Sequence, residues 1–154
     1  PKHDNHELLG KTKFAGCLGV MKDVKRNKYT QNANIEADCS VDGKEVYKLK
    51  STANTANWWY DHRISLIDAK TFADYRTEYF KGGKHIKTID RSWASANLDD
   101  PRASYWGYWY GKTNTTGHET MAFIPSTITK VNHKYKKKNL WSTTTLKKMP
   151  KKIK

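Results

Sequence analysis

The chain is poor in cysteine and proline, with two of the first and four of the second in 154 residues. Two cysteines exclude a miniprotein held together by a dense disulfide framework. At this length one domain is expected, large enough to bury a core without a metal. No apolar run approaches the roughly 20 residues of a membrane-crossing helix, so no transmembrane segment is expected. No charged-then-apolar leader opens the chain, as in an already processed form. Motifs that carry chemistry are missing too. The sequence has no Cys-x-x-Cys, no His-x-x-x-His and no Gly-x-Ser-x-Gly elbow. Neither a zinc site nor an activated serine is therefore expected, and His3 with His6 offers only a weak, flexible metal pair. Gly10-Lys11-Thr12 and Gly111-Lys112-Thr113 look like the ends of phosphate loops, but Asn5 and Trp106 stand where such a loop needs its first glycine. No cofactor is expected.

Acid is the most unevenly distributed absence. Residues 120–154 hold ten lysines and no Asp or Glu, while residues 1–119 hold 19 basic and 15 acidic side chains, so +10 of the formal +14 belongs to the last 35 residues. This argues against an ordinary near-neutral enzyme and divides the chain into a β-rich domain, residues 1–131, and a Lys-rich segment, residues 132–154. Lys134, Lys136, Lys137, Lys138, Lys147, Lys148, Lys151 and Lys152 are the candidate contacts to a polyanion. The plainer reading is a solvated, solubilising end.

Short runs rich in β-branched and aromatic residues alternate with Gly and Asn/Asp clusters, the pattern of an all-β, single-domain barrel or sandwich of about eight strands. The clearest unit is a hairpin in which Tyr75, Thr77 and Tyr79 alternate with Asp74, Arg76 and Glu78. It turns at Gly82-Gly83 and returns through residues 85–90. An amphipathic helix from Ala69 to Lys81 is the competing expectation. Further strands are expected over 13–20, 33–40, 45–50, 62–67, 104–110, 118–124 and 127–131, with the first ten residues an unstructured lead-in. Cys17 and Cys39 lie 22 residues apart on two of these strands. They permit one disulfide, or two buried thiols in a reducing compartment. Asn114-Thr115-Thr116 has the form of a glycosylation sequon.

Eight of the fifteen Trp and Tyr residues fall in nine positions: Trp58, Trp59, Tyr60, Tyr105, Trp106, Tyr108, Trp109 and Tyr110. In a strand, Tyr105 and Trp109 would share one face and Trp106, Tyr108 and Tyr110 the other. One row can be core, leaving the other free to stack on a sugar, a small ligand or bases. A small β-sheet hydrolase would need a base, an acid and a cation. His62, His85, His118, Glu119 and Arg63 are the candidates, without a spacing rule to support them.

The stretch from Trp141 to Ile153, with its Met149-Pro150-Lys151 run, and the segment from Tyr79 to His85 resemble small secreted β-rich proteins of lactic-acid bacteria. The resemblance implies an exported, surface-associated protein and transfers no catalytic residue; the two cysteines depart from it. Three function classes follow. The leading one is a non-enzymatic binding protein, extracellular or at the cell surface, that meets an anionic surface polymer through its Lys-rich tail and a sugar or small ligand through its aromatics. The others are a single-stranded nucleic-acid-binding barrel and a small basic nuclease or hydrolase.

Overall fold

The computed structural model describes residues 4–20, 37–100 and 102–126. The expected strand over 127–131, the polyanion lysines, His3 and most of the expected strand over 33–40 lie outside the described residues. Seven strands form one antiparallel meander in chain order: β1 (Asp4–Lys13), β2 (Glu45–Ala53), β3 (His62–Asp68), β4 (Asp74–Lys81), β5 (Lys84–Ser95), β6 (Ser104–Thr113) and β7 (Glu119–Phe123). The all-β expectation holds. The sheet does not close, however, and β1 and β7 remain its two edges among the described residues, in place of a barrel or sandwich.

The β4–β5 hairpin forms as expected, because Gly82 (φ 55°) and Gly83 (φ 73°) supply the two left-handed positions of its two-residue turn. The helical alternative over 69–81 is excluded, since alternation places Tyr75, Thr77 and Tyr79 at buried positions of a strand. Two expectations fail. The supposed lead-in is β1, pinned by Asp4, whose carboxylate accepts from Tyr60 Oη at 2.9 and 3.0 Å and from Arg63 Nη2 at 2.9 Å. His6 is fixed in the same strand by Ser51 Oγ at 2.9 Å. Conversely, residues 14–20 are not a strand, and 37–40 are not one either; both belong to segments that cross the sheet.

Strand register sorts the side chains into two faces. Val46, Leu66, Arg76, Asp90 and Tyr110 share the first with their cross-strand partners. The segments 14–20 and 37–44 lie over this face, joined by the Cys17–Cys39 disulfide. Phe14, Leu18 and Val41 pack there with Val46, Ala73 and Tyr75 in the larger apolar cluster. Polar contacts fasten the cover. Arg76 donates to Asp90 through Nε at 2.7 Å and Nη2 at 2.9 Å, Gly19 N–H donates to Asp90, and Ser92 Oγ donates to Asp38 at 2.9 Å.

At the foot of this core Asp68 caps the β3–β4 turn, accepting from the amides of Lys70 (2.8 Å) and Thr71 (2.7 Å) and from Tyr75 Oη (2.8 Å). Burial opposes ionisation of Asp68, but the three donors prevail and hold its carboxyl below the ordinary value. A depressed folded-state pKa means stability that is complete above the unfolded-state value and is lost as pH falls through the folded one. Asp68→Asn is therefore expected to cost about 1–2 kcal/mol at pH 7, with the difference shrinking below about pH 4. Urea denaturation between pH 7 and pH 2 checks this; a difference independent of pH would contradict it.

Candidate functional site

The second face carries Ser51, Arg63, Ser65, Thr77, Tyr79, Lys87, Ile89, Trp109 and Thr113, again by cross-strand register. Among the described residues, the loop over 54–61 between β2 and β3 is what reaches across it, at the end near the β4–β5 turn. Asp61 in this loop accepts from the turn amide of Gly82 at 2.6 Å, and Asp61 N–H donates to the Phe80 carbonyl at 2.8 Å. Lys81 Nζ donates to the carbonyl of Trp58.

These ties hold three aromatics in an ordered stack. Tyr60 is buried on Tyr79 with ring centroids 5.3 Å apart. Trp59 lies against both, 4.7 Å from Tyr60 edge-on and 4.7 Å from Tyr79 at a tilt of 33°. Trp58 meets Tyr60 edge-on at 6.4 Å. Ile89, Ala53, Ile86 and Trp109 complete this second apolar cluster. The Trp109 indole lies along its own strand over Gly111, where a Cβ would come within 2.8 Å of the ring. Burial, then the hydrogen bond to Asp4, raises the Tyr60 phenol above its ordinary pKa, so it remains a neutral donor at physiological pH.

Trp59 is buried on its Tyr side yet still 45% exposed. It forms the wall of an open groove of about 390 Å³, whose other lining residues are Lys81, Ile86, Lys87, Thr113 and Thr115. Lys87 Nζ stands 5.9 Å from the Trp59 ring centroid, within cation–π range.

The eight aromatics singled out in the sequence do not form one surface. Trp58, Trp59, Tyr60 and Trp109 meet at this end of the second face. Tyr108 and Tyr110 are buried on the first face; the Tyr110 hydroxyl donates to Glu119 at 2.8 Å, and burial followed by this bond pushes its pKa up to about 12. Strict alternation in β6 breaks at the irregularity between Ser92 and Trp93, which leaves Gly107 without a cross-strand partner. Trp106 consequently packs edge-on against Trp93 at 5.9 Å, under the Arg91 guanidinium at 5.6 Å, although Arg91 pairs with Trp109. Tyr105 is half-buried and paired with Ala94, so it takes the face opposite Trp106. A nucleic-acid barrel needs consecutive exposed stacking platforms; three of the rings, Tyr60, Tyr108 and Tyr110, are buried in the core and the others do not form one row.

The hydrolase candidates do not converge. His62 and His85 stack on Phe80, with centroids 4.8 and 5.0 Å from it, so an aromatic ring stands where a substrate would have to sit. Arg63 is on the opposite face with Asp4. His118 lies in the β6–β7 turn, and Glu119 is engaged by Tyr110 and Lys112. Among the described residues no group of three His, Cys, Asp or Glu side chains is placed to hold a metal. The groove residues Lys81, Ile86, Lys87, Thr113 and Thr115 were not legible as a site, because they come from three strands and a turn that register alone juxtaposes.

No family model matches the chain, and no curated protein matches it. Among solved structures, the fold is similar to an outer membrane lipoprotein-sorting protein domain from Vibrio parahaemolyticus, with a TM-score of 0.52 and 14% identity, covering 90% of this chain and 48% of that one. A LolA-superfamily protein from Nitrosomonas europaea is matched at a TM-score of 0.49 and 14% identity, covering 84% of this chain and 50% of that one. The chain thus spans about half the length of these structures, and the likeness to the Vibrio domain is one of fold.

Proposed function

We propose that this chain is a non-enzymatic, exported binding domain that holds a sugar or another small ligand against Trp59, while its Lys-rich segment associates with an anionic surface polymer. One observation carries the reading. Trp59 keeps a large part of its indole in solvent while Tyr60 and Tyr79 fix its orientation, so a ligand can stack there without ordering a mobile side chain. The Cys17–Cys39 bond agrees with an oxidising compartment outside the cytosol. The similarity to a domain described as lipoprotein-sorting agrees with a binding rather than a catalytic role.

The indole N–H resonances of the six tryptophans report binding site by site. On titration with N-acetylglucosamine, glucuronate and dodecyl phosphate, at least one probe is expected to move the Trp59 signal with the amides of Ile86, Lys87 and Thr113. Trp59→Ala should then weaken that probe about tenfold, the loss of one stacking contact. If none of the three moves Trp59, or if all shifts map to Trp106, the aromatic reading is wrong. The tail is tested in the full chain by changing Lys134, Lys136, Lys137, Lys138, Lys147, Lys148, Lys151 and Lys152 to Gln. Unchanged retention on dextran sulfate would remove the polymer role.

A further inference from the structure

We infer that the Trp59 groove recognises the acidic sugar class, a pyranose ring bearing a carboxylate or phosphate, with the ring on the indole and the anion on Lys87 and Lys81. This rests on the binding role proposed for Trp59 and names its ligand.

Three features of the lining lead there. First, its apolar surface comes from one isoleucine, the Trp59 indole and the stems and methyls of Lys81, Lys87, Thr113 and Thr115, each of these four also carrying a polar head. An acyl chain needs a continuous apolar sleeve, because each of its methylenes stabilises binding by leaving water. One isoleucine and one ring do not make such a sleeve, but they suit the less polar face of a sugar, with hydroxyl-bearing threonines at its edge. Second, the lining holds two cations and no carboxylate. Lys84, the first residue of β5, adds a third positive charge beside the turn; Asp61, one of whose oxygens accepts from the Gly82 amide, stands outside the lining. An anion entering the groove therefore meets cations and no carboxylate in the lining itself. Third, the lysines are positioned before any ligand arrives. Lys81 is held by the Trp58 carbonyl and Lys87 by the Trp59 ring. An ammonium beside an indole keeps hydrogen-bond donors free, since the ring accepts none of them in the way a carboxylate would. The charge that matters for this ligand thus belongs to the β4–β5 hairpin, not to the tail.

The test is an isothermal and NMR titration of the full chain with four probes: glucose, glucuronate, glucose 6-phosphate and dodecyl phosphate. Both acidic sugars are expected to bind at least tenfold more tightly than glucose and to shift the Trp59 indole. In Lys87→Met, whose side chain retains the apolar contact with the ring, the preference for the acidic sugars over glucose, read as the ratio of their affinities in the same variant, should fall from at least tenfold to near one. Glucose binding also confirms that the variant is folded. Equal affinity for glucose and glucuronate, both at Trp59, would overturn this inference and leave the binding role standing. Tighter binding of dodecyl phosphate than of either acidic sugar would overturn it in favour of an acyl ligand. No response at Trp59 to any probe would end both. An oligomer of glucuronate separates free sugar from polymer: an affinity above that of the monosaccharide, lost in Lys87→Met, assigns the source to a polymer end or chain, and an equal affinity assigns it to the free sugar.

Discussion

Replacing Asp90 by Ala is expected to destabilise the fold by about 3–5 kcal/mol, the range found when one partner of a buried ion pair is removed. Asp90 is 1% exposed, and both carboxylate oxygens are used. It gathers the guanidinium of Arg76 from the neighbouring strand and the amide of Gly19 from the covering segment. Arg76 in turn donates to the Cys17 carbonyl at 3.1 Å and lies 5.1 Å from the Phe14 ring centroid. Loss of the carboxylate leaves the guanidinium with one weaker acceptor and the Gly19 amide with none of its own. Because the Arg76 side chain is still 22% exposed, water can reach it, which places the expected effect toward the lower end. Urea denaturation of Asp90→Ala measures it. The control is Arg76→Met with Asp90→Leu, which removes both charges and should cost less than Asp90→Ala alone. A loss under about 1 kcal/mol for Asp90→Ala would show that the network does not fasten the cover.

Opening the Cys17–Cys39 bond is expected to cost about 3 kcal/mol, the chain-entropy value for a loop of this length. The bond joins the two segments that shelter Val46, Ala73 and Tyr75, so the same opening loosens Phe14, Leu18 and Val41. Comparing urea midpoints with and without reductant, and in the Cys17→Ala, Cys39→Ala double variant, gives the magnitude. The two measurements should agree, because neither alters the sheet. The Trp59 groove lies on the opposite face and should retain its ligand response at concentrations of urea where both forms are folded. A groove that lost its response on reduction would show that the faces are coupled through the sheet.

The two faces also explain what could be read in advance. Period-two alternation in β4, the Gly82-Gly83 turn and the β-branched runs are local properties, and they placed the starts of β2 to β7 within a residue, although β2, β5 and β6 run three to five residues further than expected. β1 was missed for a reason visible in its partners. Its sequence, Asp4 to Lys13, is polar and contains Gly10, so no alternation of apolar residues announces it. It is ordered instead by Asp4 meeting Tyr60 and Arg63, more than 50 residues away. Residues 14–20 were misassigned in the opposite sense: Phe14 and Leu18 have the apolar character of a strand, but they serve a segment that crosses the sheet. The aromatic run in β6 was legible as important and illegible as to role, since one unpaired residue, Gly107, is enough to shift a side chain across the sheet.

Composition and local pattern settled that the chain is β-rich, where its hairpin turns, and that its excess charge is concentrated at one end, because these depend on residues adjacent in sequence. The pairing of Cys17 with Cys39 was one of two states the sequence allowed. Which sheet face is covered, which aromatics are core, and that Trp59, Lys87 and Thr113 stand together depend on register between strands and on segments folded over them. Such contacts join residues tens of positions apart, and no local periodicity encodes them.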